Sequence, residues 1–288
     1  MSDLTTPASP LATVSEAEAN QARAYARAAT SEATRKAYRA DMDAWRAWAA
    51  SHQTPAMPCV PEMLAVYLGS MAADHKPASI ARRLAAICSA HRMAGYEPPR
   101  RHAAVRAVIA GIRRTLGVRQ HQAKPITPEA LRAAVEKASP RDRALLLLGF
   151  AGAFRRSELV ALDVADLTWS PEGLAVTLRR SKTDQDGEGR VVGIPRVIAT
   201  QAVEQWIAGR TAGRVFPITA GMVGRIVKRL LGEEYSAHGL RSGFCTAAAL
   251  AGKDALAIQR QTGHKSLVQL AKYCRPGLFE KNAGEGIL

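Results

Sequence analysis

Residues 262–273 read Thr262-Gly263-His264-Lys265-Ser266-Leu267-Val268-Gln269-Leu270-Ala271-Lys272-Tyr273. Upstream stand His238-Gly239-Leu240-Arg241 and, earlier still, Phe154-Arg155-Arg156-Ser157-Glu158-Leu159. A tyrosine by itself says nothing about chemistry. Here a phenol follows two arginines and two histidines, each in its own short motif. A guanidinium is a permanently charged, rigid fork of donors that matches phosphate oxygens. A free phenol has a pKa near ~10 and is a poor nucleophile until neighbouring cations stabilise its anion. The combination suggests a nucleophilic tyrosine facing a phosphate. Tyr25, Tyr38, Tyr67, Tyr96 and Tyr235 lack this context.

The composition agrees with a polyanionic partner. The 288 residues allow two domains, and a 47% hydrophobic content supports real cores. Forty Lys and Arg against 25 Asp and Glu leave a net charge of +15, which favours nucleic acid. An anionic membrane surface satisfies the charge alone equally well. Residues 1–20 carry −3, residues 21–116 carry +9 and residues 117–288 carry +9. Two basic lobes holding one duplex fit this distribution better than one domain with a basic tail. The four cysteines show no C-x-x-C spacing, so neither a disulfide framework nor a zinc site is expected, and a reducing cytoplasm is the simplest compartment. No apolar run approaches the ~20 residues of a membrane span, and no signal peptide is apparent.

Periodicity divides the chain. Residues 1–28 read as a flexible arm that passes into helix near Glu16. Residues 29–116 read as a helical unit, with inward faces Tyr38/Met42/Trp45/Ala49, Leu64/Tyr67/Leu68/Met71, Ile80/Leu84/Ile87/His91 and Val105/Val108/Ile109/Ile112/Leu116. Ser79 is the expected cap of the third of these helices. Arg82, Arg83, Arg106, Arg113 and Arg114 fall off those faces and are candidate phosphate contacts, although ordinary solvated faces look the same. Residues 117–126 read as a linker and residues 127–288 as a second domain, opened by the Thr127-Pro128 helix start. Within it, Asp163–Trp169, Leu174–Leu178 and Arg190–Ile194 read as strands of a small antiparallel sheet among helices. The expected fold class is mainly α: a helical DNA-binding domain, then a mixed α/β domain.

These motifs resemble the tyrosine recombinases, the phage-integrase family, in order and across most of the chain. The simple two-domain Cre and Xer type is the nearest pattern, because no separate arm-site domain is evident. The resemblance implies roles. Arg155, in Gly152-Ala153-Phe154-Arg155-Arg156-Ser157-Glu158-Leu159, matches the first catalytic arginine, and Arg156 does not match. Glu158 matches an acidic support, and a capping or structural ion-pair role fits the same spacing. His238 and Arg241 match the H-x-x-R box, whose spacing of three puts both on one helical face. Relatives often carry histidine after that arginine, where this chain has Ser242. His264 matches the (L/T)-G-H element and Tyr273 the nucleophile. Lys182, in Arg180-Ser181-Lys182-Thr183-Asp184, matches the hairpin general acid, though a solvated hairpin lysine reads the same way.

The implied activity is site-specific recombination of double-stranded DNA through a 3′-phosphotyrosyl ester, by a homotetramer on two DNA sites. The ester conserves the bond energy, so no ATP is needed. No metal-binding carboxylate cluster and no phosphate-binding glycine loop appear, so no cofactor and no metal are expected. Two alternatives share the residues: a type IB-like relaxing topoisomerase, and an inactive DNA-binding accessory or regulatory protein.

Overall fold

The computed structural model describes residues 14–117, 124–179 and 189–271. Lys182, Tyr273 and most of the 117–126 linker lie outside the described residues. The chain divides into two compact units, Met1–Gln120 and His121–Leu288.

The first unit is helical. The arm expected over residues 1–28 is helix from Glu16 onward, α1 (Glu16–Ala28), closed by a reciprocal Ser15–Glu18 capping box. It buries nothing. Helix α2 (Glu32–Ser51) starts at the Ser31 cap and turns Met42, Trp45 and Ala49 inward. Prolines open α3 (Pro61–Ser70) and α4 (Pro77–Met93) at a position where a missing N–H costs nothing. Ser79 is therefore not the cap of α4: its own N–H is already bonded to the Lys76 carbonyl at 2.9 Å. Helix α5 (Ala103–Leu116) buries Val105 and Ile112, whereas Leu116, expected inward, is exposed at the last turn.

Aromatic contact organises this core. Trp45 is fully buried, donates its indole N–H to the Ala56 carbonyl at 3.0 Å, and lies 5.1 Å from the Tyr67 ring. Buried His91 accepts from the Cys59 backbone N–H at 3.0 Å, which ties the loop before α3 to α4. Asp41, also buried, is the unit's charged anchor. Arg82 forks onto it with Nε at 2.8 Å and Nη2 at 3.1 Å. Arg83 reaches it with Nε at 3.2 Å and gives Nη1 to the Tyr67 hydroxyl at 2.6 Å. The reading of Arg83 as an outward phosphate contact is corrected by this geometry: its side chain is 16% exposed and braces α2, α3 and α4. Arg82 keeps half its surface in solvent, and Arg106, Arg113 and Arg114 are exposed along α5.

The second unit is built around α7 (Pro140–Ala151), whose Leu145, Leu146, Leu147 and Leu148 are all buried. A helix apolar on every side must be surrounded. Helices α6 (Pro128–Glu136), α9 (Ile198–Ile207) and α11 (His238–Leu250) pack on it. The short α8 (Arg156–Ala161) and α10 (Ala220–Leu231) contact each other beside them. Helices α12 (Ala255–Thr262) and α13 (Leu267–Ala271) join α11 through a small cluster of Cys245, Ala248, Ile258 and Leu270.

A three-stranded antiparallel sheet runs in the order β1 (Leu167–Ser170), β2 (Gly173–Leu178), β3 (Arg190–Pro195), with Leu167 opposite Val176 and Leu174 opposite Ile194. Leu174, Val176, Leu178, Val192 and Ile194 form its buried face. The first strand is shorter than the sequence suggests. Asp163 and Asp166 cap each other's backbone in a turn of 3-10 helix over Val164–Asp166, an alternative that acidic side chains offer to the ladder. No helix among the described residues is long and apolar enough to cross a membrane.

The end of the linker also departs from the reading of a stretch poor in core residues. Ile126 is fully buried, and its N–H donates to the Gly239 carbonyl on α11 at 3.0 Å. A Cβ on Gly243 would sit 2.0 Å from the Ile126 carbonyl oxygen, so only glycine lets this backbone lie against α11.

Candidate active site

Three pieces of backbone converge on the site. The first is the turn leaving α7. Ala153 takes φ 49°, a left-handed conformation that costs an L-residue about 1–2 kcal/mol. Buried Phe154 anchors the turn in the core, and its N–H bonds the Gly149 carbonyl at 3.1 Å. The turn delivers Arg155 to the start of α8. There Glu158 performs both of the roles its spacing allowed. Its Oε2 accepts the Arg155 backbone N–H at 2.8 Å, and its Oε1 takes the Arg155 guanidinium at 2.6 Å. The Glu158 side chain is 1% exposed and that of Arg155 19%, so this pair orients Arg155 at the edge of the protein interior. Arg156 is exposed, as its failure to match the motif implied.

The second piece is α11, which begins at His238 and places Arg241 one turn on. Arg241 is buried, and its Nη1 donates to the Ala153 carbonyl at 2.8 Å. The strained turn is thus the acceptor that fixes the second arginine. Arg241 Nη2 is buried and has no hydrogen-bond partner among the described residues. Burial, then the charge of Arg155, pulls the Arg241 pKa down to about 10, with Glu158 opposing. His238 stands at the exposed start of the helix, yet desolvation of part of its ring, then the charges of Arg241 and Arg155, lower its pKa.

The third piece is the turn after α12. Gly263 ends that helix in the left-handed region at φ 65°, and His264 follows, buried. Thr262 Oγ1 lies 2.7 Å from His264 Nδ1, and Gln259 donates to the His264 carbonyl at 2.8 Å. Partial burial, then Arg241, Arg155, His238 and Arg190, push the His264 pKa down to about 4. At neutral pH this ring carries no charge and can donate or accept a hydrogen bond.

The structure therefore groups Arg155, Glu158, His238, Arg241 and His264 in one electrostatic neighbourhood. Arg82, Arg83, Arg106, Arg113 and Arg114 belong to the other unit. Lys182 and Tyr273 fall outside the described residues. Arg190, at the first position of β3, was not singled out from sequence. Its Nη1 donates to the carbonyls of Arg260 at 3.1 Å and Gln261 at 2.7 Å. Only its place directly after the segment that carries Lys182 hinted at a role. The set has three guanidiniums and one carboxylate in a partly desolvated setting. A tetrahedral anion with several oxygens is the ligand that such donors fit.

The sequence matches the family model described as the phage integrase family over residues 117–277, and that of the phage integrase N-terminal SAM-like domain over residues 24–97. An integrase/recombinase xerD homolog from Selenomonas ruminantium is 36% identical over 285 residues, covering 87% of this chain and 84% of that protein. The tyrosine recombinase XerC of Myxococcus xanthus is 29% identical over 228 residues, covering 72% and 74%. In fold, the chain is similar to a lambda integrase dimer bound to a COC′ core site, with a TM-score of 0.63 at 16% identity over 89% of this chain and 75% of that one. It is also similar to the XerH site-specific recombinase in a post-cleavage complex with difH, with a TM-score of 0.58 at 17% identity over 77% and 72%.

Proposed function

The chain belongs to the phage integrase family of tyrosine recombinases, and on that premise we propose that it cuts and rejoins DNA strands with Tyr273 as nucleophile. The Tyr273 phenol oxygen attacks the scissile phosphorus, the bond from phosphorus to the 5′ oxygen breaks, and a 3′-phosphotyrosyl ester forms. Neutral His238 accepts the phenol proton, and Lys182 gives a proton to the departing 5′ oxygen. Arg155 and Arg241 bind the non-bridging oxygens, and His264 adds a hydrogen bond. Charge that grows on the phosphorane is stabilised by donors already in place, which is where such sites derive most of their rate. Rejoining is the reverse step with a 5′-hydroxyl from another strand.

One observation carries this reading: buried Arg241 holds one nitrogen on Ala153, and its Nη2, close to Arg155, has no hydrogen-bond partner among the described residues. An unmatched buried donor is costly, and a phosphate oxygen supplies the missing partner. In this reading residues 29–116 are the DNA-binding domain and residues 127–288 the catalytic domain. Arg106, Arg113 and Arg114, with the exposed part of Arg82, contact the backbone of double-stranded DNA. Four copies assemble on two DNA sites in the cytoplasm.

The test is a nicked suicide substrate carrying the flanking DNA, with covalent protein–DNA adduct read on a denaturing gel. Wild type accumulates adduct, and Tyr273→Phe binds the same DNA but forms none. Adduct in the Phe variant would remove Tyr273 from this role. Absence of adduct in wild type would favour a binding protein without catalysis. Joining of a 5′-hydroxyl end from a second duplex separates a recombinase from an enzyme that only relaxes DNA.

A further inference from the structure

Arg190 lies on a different element from every matched motif, yet it makes some of the site's most specific contacts. Its Nη1 is shared between the carbonyls of Arg260 and Gln261, in the last turn of α12, where a helix exposes unpaired acceptors and the negative end of its dipole. Its guanidinium lies directly over Gly263. A Cβ there would fall 2.9 Å from both Cζ and Nη1. Two causes thus demand glycine at position 263, the left-handed φ of 65° and the guanidinium laid across it. The tie is doubled by Gln261, whose amide donates to Gly193 on β3 at 3.3 Å and to Ala151 at the end of α7 at 3.0 Å. Strand β3, the end of α12 and the turn that holds Arg241 are therefore joined through the segment that precedes His264.

We propose that Arg190 is a positioning residue for the cleavage site: it clamps the Gly263–His264 turn onto β3 and so fixes His264 relative to Arg155 and Arg241. Its Nη2 is buried without a partner among the described residues, and its charge, which Glu158 offsets only in part, adds to the field around His264. The groups facing His264 are Arg241 and His238 from α11, Arg155 from the start of α8, and Arg190 from β3. This inference rests on the reading of the site as a strand-transfer centre.

The experiment compares Arg190→Gln, Arg190→Lys and Gly263→Ala with wild type for single-turnover adduct formation, the titration of His264 followed by NMR, DNA affinity and thermal stability. A displacement of about an ångström at a reacting group costs up to about a hundredfold. Arg190→Gln therefore forms adduct about ten- to a hundredfold more slowly, with DNA affinity unchanged. With one positive charge removed, the His264 ring takes up its proton at a higher pH than in wild type. Arg190→Lys keeps the charge, so the His264 titration stays at the wild-type position while part of the rate is lost. Gly263→Ala loses rate like the Gln variant because the added methyl displaces the guanidinium.

A folded Gln variant with the wild-type rate overturns the proposal, and so does one that loses rate with the His264 titration unmoved. If the Gln variant fails to fold, Arg190→Lys and Gly263→Ala decide, and the wild-type rate in either overturns it. Wild-type adduct formation is the control. Its absence refutes the strand-transfer reading itself, whereas its presence beside unaffected variants refutes only the role of Arg190.

Discussion

Replacing Glu158 by Gln separates two jobs that one carboxylate performs. Glu158 accepts two hydrogen bonds, from the backbone N–H and from the guanidinium of Arg155, at 2.8 Å and 2.6 Å. A hydrogen bond to a charged group contributes about 1.5–3 kcal/mol, against about 0.5–1.5 kcal/mol between neutral partners. Glutamine keeps one acceptor oxygen and turns an NH₂ toward the second donor. One bond weakens by about 1 kcal/mol, and one donor is left facing another, at a further cost of about 1–3 kcal/mol. Because Arg155 is 19% exposed, water relieves part of that conflict, which selects the low end, about 2 kcal/mol. For a unit of this size the melting temperature then falls by roughly 4–8 °C.

The effect on function has a different sign from a plain loss of structure. Among the described residues Glu158 is the carboxylate that acts on Arg155, Arg190 and Arg241, so its neutralisation leaves the site more positive. DNA affinity is unchanged or higher, while single-turnover cleavage falls because Arg155 is no longer held. Calorimetry, fluorescence anisotropy and the suicide-substrate assay read the three quantities. An unchanged melting temperature would refute the assignment of Glu158 as a buried double acceptor. Affinity and rate falling in parallel would refute its role in orienting Arg155.

The helical unit has its own test: Asp41→Asn leaves Arg83 buried with only the Tyr67 hydroxyl as a strong partner, and lowers that unit's stability by about 2–4 kcal/mol, discounted because Arg82 is half exposed. Urea unfolding followed by fluorescence, with Trp45 and Trp48 in this unit, reports it, and an unchanged midpoint would mean the ion pairs contribute nothing. The depressed pKa of His264 predicts a pH dependence of stability. The unfolded ring binds a proton near pH 6.5 and the folded ring only near 4, so stability is full above about 6.5 and declines as pH falls toward about 4. After allowance for screening the loss is of order 1–2 kcal/mol. His264→Gln removes that component, and identical pH–stability curves for variant and wild type would contradict it.

What could be read from the chain, and what could not, follows from the range of the interactions. Local chemistry was legible. The Thr127 cap with the Pro128 that opens α6, and the inward faces of α2 and α4, depend on neighbours within a few residues. So did the His238–Arg241 pair, which one helical turn brings to one face, and the Arg155–Glu158 pair, which one capping turn joins. Contacts distant in sequence were not legible. Arg83 looked like any off-face arginine because its partner, Asp41, is 42 residues away. Leu116 fits the apolar period of α5, but the helix ends there before anything can cover it. Ile126 looked like a lone apolar residue among linker residues because the groove that receives it exists only where Gly239 and Gly243 line up on α11.

The site's least legible component is a backbone atom. Arg241 is held by the Ala153 carbonyl, presented by an alanine in a left-handed turn that its residue type disfavours. Such strain persists only where the surroundings over-determine it, and here buried Phe154 on one side and the α7 core on the other do so. The matched motif supplies two side chains of the site, Arg155 and Glu158. The same segment also supplies, through Ala153, the acceptor that locks a third. Gly152 leaves room for the Phe154 ring, which a Cβ there would meet at 2.2 Å, and buried Phe154 pins the turn that presents Ala153.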